Sequence, residues 1–313
     1  MSEKRIEVTT SRTAEWTCIC RAISSLEKNR FYKSDDRVAL SLLPYFLMLL
    51  IRIPLAGRLF LKIFAAKGIY EYVIARTKYI DTVFRQALSD KFSQILLFGA
   101  GFDTRALRFR KDARQTRIFE LDAPSTQDAK IRQYRKRHLG IPSNLVFVAI
   151  DFDRESLADK LDRSGFQRNR RSLFILEGVL MYLEPESVNR TFQTIKQYAG
   201  AGSRVVFDYL QEAVLRDANT LYGQSKIAQS VRKAGEQWRF GIEPAGIEQF
   251  VSAYGFELNE HRCAQELQAL YFQDANGRPV GRINGTHCIV SASIPQVGRP
   301  AVASQHKPAR RGC

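Results

Sequence analysis

Two glycines and three carboxylates are spaced in this chain as a nucleoside site would need them. Gly99 and Gly101 lie in Phe98-Gly-Ala-Gly-Phe-Asp-Thr-Arg105, directly after the apolar run Gln94–Phe98. A glycine turn lets the backbone approach a ligand with no Cβ in the way. Asp122 closes the next apolar run, Arg117–Leu121, where a strand-end carboxylate can accept from both hydroxyls of a ribose. Asp151 follows the run Leu145–Ile150 and can accept from an adenine amino group, while Phe152 covers the ring. Glu177 follows Leu173–Leu176. A carboxylate at the end of a buried strand is costly unless partnered.

These residues need a scaffold that brings several strand ends to one crevice. Gln94–Phe98, Arg117–Leu121, Leu145–Ile150, Leu173–Leu176 and Arg204–Tyr209 are short, continuous and branched, as buried parallel strands are. Helical patterns separate them at Ser125–His138, Arg154–Ser164 and Pro185–Tyr198. The alternation predicts a doubly wound, mostly parallel α/β sheet. Gln211–Arg239 reads as a polar helical insertion and Pro244–Tyr254 as a helix. Phe256–Cys263 and Thr286–Ile294 read as two further strands separated by a turn-rich segment. The expected organisation is a helical lid over residues 1–90 and a ligand-binding domain over 91–295 with an insertion at 211–240. A basic disordered tail is expected over 296–313.

The glycine turn narrows the ligand. A dinucleotide fingerprint would put a third glycine at position 104, for close packing under a pyrophosphate; the residue there is Thr104. A cofactor without phosphates fits better, and S-adenosylmethionine, adenosine at one end and an amino acid at the other, is one.

Several segments also carry a family resemblance. Arg76-Thr-Lys-Tyr-Ile-Asp81, Gly99-Ala-Gly-Phe-Asp-Thr-Arg-Ala106, Glu120-Leu-Asp-Ala-Pro124, Asp151-Phe152 and Leu176-Glu-Gly-Val-Leu-Met-Tyr-Leu183 occur in that order. With Arg21-Ala22 and Asp36 they make the chain, over about residues 15–295, similar to the bacterial relatives of the leucine carboxyl methyltransferases, a group including polyketide carboxylate O-methyltransferases. The resemblance implies a seven-stranded sheet ending in an antiparallel hairpin, and S-adenosylmethionine as methyl donor. It also implies that Arg76 pairs with the methionine carboxylate or faces the substrate acid, and that Gly99 touches the methionine moiety. By the same resemblance Asp122 holds the ribose, Asp151 and Phe152 contact adenine, and Glu177 sits near the donor's amino group. Tyr182 would help place the substrate. Where the eukaryotic pattern has a lysine, this chain has Cys20, and Arg21 is the candidate replacement.

Composition bounds the partners. The 313 residues are 45% hydrophobic, enough for a large core, and carry a formal charge of +16. The charge is clustered at Arg105–Arg117, Lys130–Arg137, Arg163–Arg171 and in the tail with Arg299, Lys307, Arg310 and Arg311. That balance suits nucleic acid, an anionic membrane surface or an anionic substrate. The aromatic–basic interleaving used for base stacking is missing, which counts against nucleic acid. The five cysteines show no metal-ligand spacing with the four histidines, and with the polar N-terminus they fit a reducing cytoplasm. The apolar run Val38–Ile51 is shorter than the roughly 20 residues of a membrane span. The wider stretch Val38–Ala75 is expected to cover the cavity, peripheral membrane contact being the alternative. The expected function is O-methylation of a small, largely hydrophobic acceptor at a carboxylate or hydroxyl. A polyketide-like acid is one such acceptor, and a protein C-terminal carboxylate is the alternative. A carboxylate is already ionised near pH 7, so acid–base residues are not required.

Overall fold

The structure, a computed structural model, describes residues 11–53, 55–216 and 219–295. Seven strands form one sheet: β1 (Gln94–Phe98), β2 (Arg117–Asp122), β3 (Leu145–Ala149), β4 (Ser172–Leu176), β5 (Arg204–Leu210), β6 (Glu257–Arg262) and β7 (His287–Ser293). Their order is β3-β2-β1-β4-β5-β7-β6. The first five are parallel, whereas β7 runs antiparallel to both β5 and β6. The strand boundaries expected from apolar runs hold to within a residue or two, and the terminal antiparallel hairpin is present.

Both faces of the central strands β1, β4 and β5 are buried, which is why they read as unbroken apolar runs rather than as alternating ones. Ile95, Leu97, Ile118 and Ile175 join one apolar layer, and Leu96, Phe98, Phe119 and Phe174 the other. Among the described residues the first layer is completed by five N-terminal helices: α1 (Arg12–Leu26), α2 (Val38–Leu42), α3 (Tyr45–Arg52), α4 (Ala56–Phe64) and α5 (Ile69–Ser89). Helix α5 is nearly all buried, with Val73, Ile74, Ile80 and Phe84 facing the sheet.

The connections follow the expected helices with shifts at their starts. A single turn, α6 (Arg105–Arg108), follows β1, and α7 (Pro124–Lys136) follows β2. Helix α8 begins only at Leu157 and runs to Ser164, because Ser156 caps it by accepting from the Asp159 amide at 3.2 Å. Helix α9 spans Pro185–Tyr198. The insertion holds α10 (Glu212–Leu215) and α11 (Gln224–Ala234), and α12 (Ile247–Ala253) is preceded by a 3₁₀ turn at Pro244–Gly246. One element was not foreseen: α13 (Ala264–Tyr271), between the two hairpin strands, where Cys263 and Glu266 form a capping box. The tail expected to be disordered, 296–313, lies outside the described residues.

Cys263 and Cys288 face each other across β6 and β7 and are joined in a disulfide. With that pairing, cysteine usage no longer argues for a reducing compartment. His261 lies beside the pair, its Nε2 3.4 Å from Cys263 Sγ. The two cysteines and this histidine, dispersed in sequence, are thus adjacent in space.

Candidate active site

Strand order reverses between β1 and β4, and it is there, beyond the carboxyl ends of the strands, that doubly wound sheets bind ligands. A cavity of about 330 Å³ opens at this point, near the lower end of the ~300–1,000 Å³ usual for small-molecule sites. Gly99, Gly101, Asp122, Asp151, Phe152, Glu177, Arg76 and Tyr182 all line it. Every residue expected from sequence to form the site is therefore in one place.

The glycine turn is required by its geometry. Gly99 and Gly101 have φ of 55° and 48°, in the left-handed region that side chains disfavour. A Cβ on Gly99 would lie 2.3 Å from Val179 Cγ2, and one on Gly101 3.0 Å from Ala14 of α1. The turn is thus clamped between the loop after β4 and the N-terminal helix.

Asp122 ends β2 with both oxygens engaged. Oδ2 accepts from the Gly101 amide and Oδ1 from the Ala123 amide at 2.7 Å. Each oxygen keeps a second lone pair, available to a ligand hydroxyl. Burial pushes this carboxyl up to about 6, against the pull of the two amides. Asp151 accepts from the Asp153 amide at 2.9 Å, and the Phe152 ring lies 6.0 Å from that of Phe98. The strand-end acid and the ring are adjacent, as adenine contact would require.

Glu177 and Arg76 belong to a buried ionic network that sequence reading did not foresee. Arg76 Nη1 donates to Asp208 Oδ2 at 2.7 Å, and its Nε stands 3.1 Å from Glu177 Oε1. Glu177 Oε2 accepts from Arg105 Nη1 at 2.7 Å. Arg105 also binds Asp81 at 2.8 Å and Asp103, and Arg108 forks onto both oxygens of Asp81 at 2.6 and 2.8 Å. Arg21 joins through Asp36 at 2.9 Å and donates to the Phe102 carbonyl at 2.6 Å. Asp208 also accepts from Tyr72 at 2.8 Å and from the Gly178 amide at 2.5 Å. Arg76 therefore serves first as partner to two protein carboxylates. Burial would raise Asp208, but the Arg76 charge together with His287 and the Gly178 amide outweighs it and holds the group below its usual range. Asp103 is likewise buried, yet Arg105, Lys130 and Arg21 hold it down at about 2.

The network joins five carboxylates (Asp36, Asp81, Asp103, Glu177 and Asp208) to four guanidiniums (Arg21, Arg76, Arg105 and Arg108). With all groups ionised, the wall behind the cavity carries one excess negative charge. Cys20 is fully buried and outside the lining, whereas Arg21 reaches the cavity.

The roof differs from the expected one. No described residue of Val38–Ala75 lines the cavity; Ser11, Thr13, Ala14, Thr17 and Arg21 of the α1 segment do, with Gly235–Gln237 and Arg239 of the insertion. The apolar run read from sequence as a cover packs instead on the far side of α1, where Gly57 of α4 meets Ile23. Glu236 ties the two roof segments together. Its carboxylate accepts from the amides of Arg12 at 2.7 Å and Thr13 at 3.2 Å, and from the Thr13 hydroxyl. Tyr182 donates to the same Thr13 hydroxyl at 3.4 Å, and burial pushes its own hydroxyl up to about 12. Arg21, Asp36, Arg76, Asp81, Asp103, Arg105 and Glu177 lie in the segments that carry the family resemblance, but their pairing, Asp208, Arg108 and Glu236 left no local signal in the sequence.

A parallel sheet with a reversed seventh strand and a nucleoside-sized cavity at its switch point defines the class I methyltransferase fold. A structure from Thermobifida fusca YX, described as that of a candidate methyltransferase, shares it with a TM-score of 0.57 and 19% identity over 91% of this chain and 98% of the other. The chain belongs to the leucine carboxyl methyltransferase family, whose profile it matches over residues 17–196, more than half its length. A candidate S-adenosyl-L-methionine-dependent methyltransferase of Bacillus subtilis, YktD, is 27% identical over 201 residues, 64% of this chain and 66% of that protein. A similarly named protein of Mycobacterium bovis is 32% identical over 166 residues, 53% of this chain and 50% of the relative. The chain thus spans between half and two thirds of these relatives.

Proposed function

We propose that this protein is an S-adenosylmethionine-dependent O-methyltransferase that esterifies the carboxylate of a small, largely apolar acid. The observation that carries the reading is the convergence on one cavity of the Gly99–Gly101 turn, Asp122, Asp151 with Phe152, and Glu177. The cavity fits the donor by three features: a left-handed glycine turn that presents bare backbone to it, second lone pairs on both Asp122 oxygens, and an ionic network behind it one charge more acidic than basic. In this reading Asp122 holds the ribose, Asp151 and Phe152 the adenine, and Glu177 the amino group. Arg76, already committed to Asp208 and Glu177, holds the methionine carboxylate with what remains of its guanidinium.

When bound, the donor supplies a methyl group on a positively charged sulfur, open to in-line attack. The chain's part is alignment and exclusion of water. The roof formed by Ser11–Arg21 and Gly235–Arg239 shields the cavity, and Tyr182 and Thr13 present hydroxyls to the acceptor. With its hydroxyl pushed up to about 12, Tyr182 stays protonated near pH 7, and by turning its O–H from the Thr13 hydroxyl it orients an acceptor oxygen by donating to it. An acid acceptor arrives ionised and needs no base.

The test is methyl transfer from labelled donor into a cell extract, resolved into small-molecule and protein fractions. The reading expects base-labile label in the small-molecule fraction. Label in protein C-termini would move the acceptor to a polypeptide, and base-stable label would replace the carboxylate with a hydroxyl. No transfer, together with no donor binding by calorimetry, would overturn the reading.

A further inference from the structure

Helices α3 and α4 present a surface that the methyl-transfer site does not use. Tyr45, Phe46, Leu49, Leu50 and Ile53 recur about one turn apart along α3 and its end, all exposed, Phe46 at 72%. Leu55, Leu59, Ile63 and Phe64 do the same at α4, with Leu55 exposed at 74%. Soluble monomers rarely keep so many large apolar side chains together in water. The pair is already seated by its other face: Leu47, Ile51, Gly57 and Leu61 are buried, and Gly57 lies against Ile23 of α1. What faces outward is left largely uncovered among the described residues, with Arg137 reaching over the Tyr45 ring at 5.7 Å.

The charges around it are predominantly basic. From Arg37 to Tyr70 the chain carries Arg37, Arg52, Arg58, Lys62 and Lys67 and not one Asp or Glu. Arg52, Arg58 and Lys62 are exposed among the outward apolar side chains, Arg58 reaching Glu27 at 2.5 Å. Beside Arg52 and the exposed Leu26 opens a cleft of about 520 Å³, lined by Lys28, Lys33, Arg37 and Arg52 against the single carboxylate of Glu27, with Ser25 and Ser41. An apolar helical face with a basic fringe and an adjoining basic cleft matches the boundary between acyl chains and anionic headgroups. A second copy of the chain matches it poorly, since two surfaces of the same sign would be set against each other. No described helix is long and apolar enough to cross a membrane.

We propose that α3 and α4 form a docking surface for an anionic lipid bilayer. The two helices lie in the interface with Phe46, Leu49, Leu55 and Leu59 in the acyl boundary, and Lys28, Lys33, Arg37 and Arg52 meet lipid phosphates. The surface lies on the far side of α1 from the cavity, so docking leaves the donor site intact.

Flotation of the full chain with phosphatidylcholine vesicles, with and without about one quarter phosphatidylglycerol, tests this. Binding should be roughly tenfold or more stronger to the anionic vesicles and weaken as salt shortens the Debye length from ~10 Å. Phe46→Ser with Leu55→Ser, and separately Arg37→Gln with Arg52→Gln, should each lower it about tenfold while donor affinity, read by calorimetry, stays unchanged. Three results would overturn the proposal: no flotation with anionic vesicles, flotation that the apolar substitutions leave untouched, or a patch-dependent dimer in light scattering without vesicle binding.

Discussion

Asp122 is the residue at which the proposed donor site titrates. Its carboxyl is raised to about 6 by burial, and ribose hydroxyls donate to its ionised form. A ligand that selects the ionised form binds best above the folded pKa. Donor affinity should therefore be level above about pH 6 and fall by up to tenfold per unit below it. Asp122→Asn should remove that dependence and weaken binding about tenfold to a hundredfold at pH 8, the worth of a charge-assisted hydrogen bond of ~1.5–3 kcal/mol. Calorimetric titration of both proteins between pH 5 and 8 checks it, and equal affinity of the two at pH 8 would refute the assignment. Asp122, Asp151 and Glu177 were legible in the sequence because each ends an apolar run, and a run's end has a fixed place in a parallel sheet. Asp208 was not, because its partner Arg76 is 132 residues away and nothing local records the pairing. Arg105 heads a basic cluster, Arg105–Arg117, whose charge suits an anionic partner, yet its side chain is buried among three carboxylates.

Between elements, the decisive contact is the one that holds the roof. Helix α1 lies over the glycine turn with Ala14 against Gly101, and Glu236 binds the first two amides of that helix. These amides have no partner inside the helix, and a carboxylate there also meets the positive end of the helix dipole. Glu236→Ala should leave the sheet intact while freeing both roof segments. Amide hydrogen exchange across residues 11–17 and 235–239 should speed up about tenfold to a hundredfold, from loss of ~1.5–3 kcal/mol, with exchange in β1 and β4 unchanged. Faster exchange throughout the sheet would mean that Glu236 supports the whole fold rather than the roof. The sheet itself was readable from apolar runs, whereas the roof was not. A polar segment such as Gln211–Arg239 announces an insertion but not what it leans on. The run Val38–Ala75 announces apolar burial but not which side is covered, and in α3 and α4 half of that apolar surface faces outward.

Taken as a whole, the molecule segregates its charge. Among the described residues seven Asp and Glu side chains are buried against four Lys and Arg, so the exterior is more basic than the formal +16 suggests. Acid should therefore unfold the protein from within. Asp81, Asp103 and Asp208 are buried but held below the usual carboxylate range by neighbouring arginines, Asp103 at about 2. Their folded pKa values lie below the unfolded value of about 3.9. The stability they contribute is thus complete above roughly pH 4 and lost as pH falls toward 2, on the order of 2 kcal/mol for Asp103 alone. Between pH 7 and 4.5 other groups oppose one another. Glu120 and Asp122, raised by burial to about 7 and 6, relieve strain as they protonate. His287, lowered by burial to about 4, costs stability as its unfolded counterpart charges below about 6.5. The melting temperature should therefore change little from pH 7 to 4.5 and drop steeply below 4. Asp103→Asn, which removes the carboxylate held down at about 2, should lower the plateau and flatten the acid limb. A parent protein that lost most of its stability near pH 6 would show His287, rather than the arginine-held aspartates, to govern the response to acid.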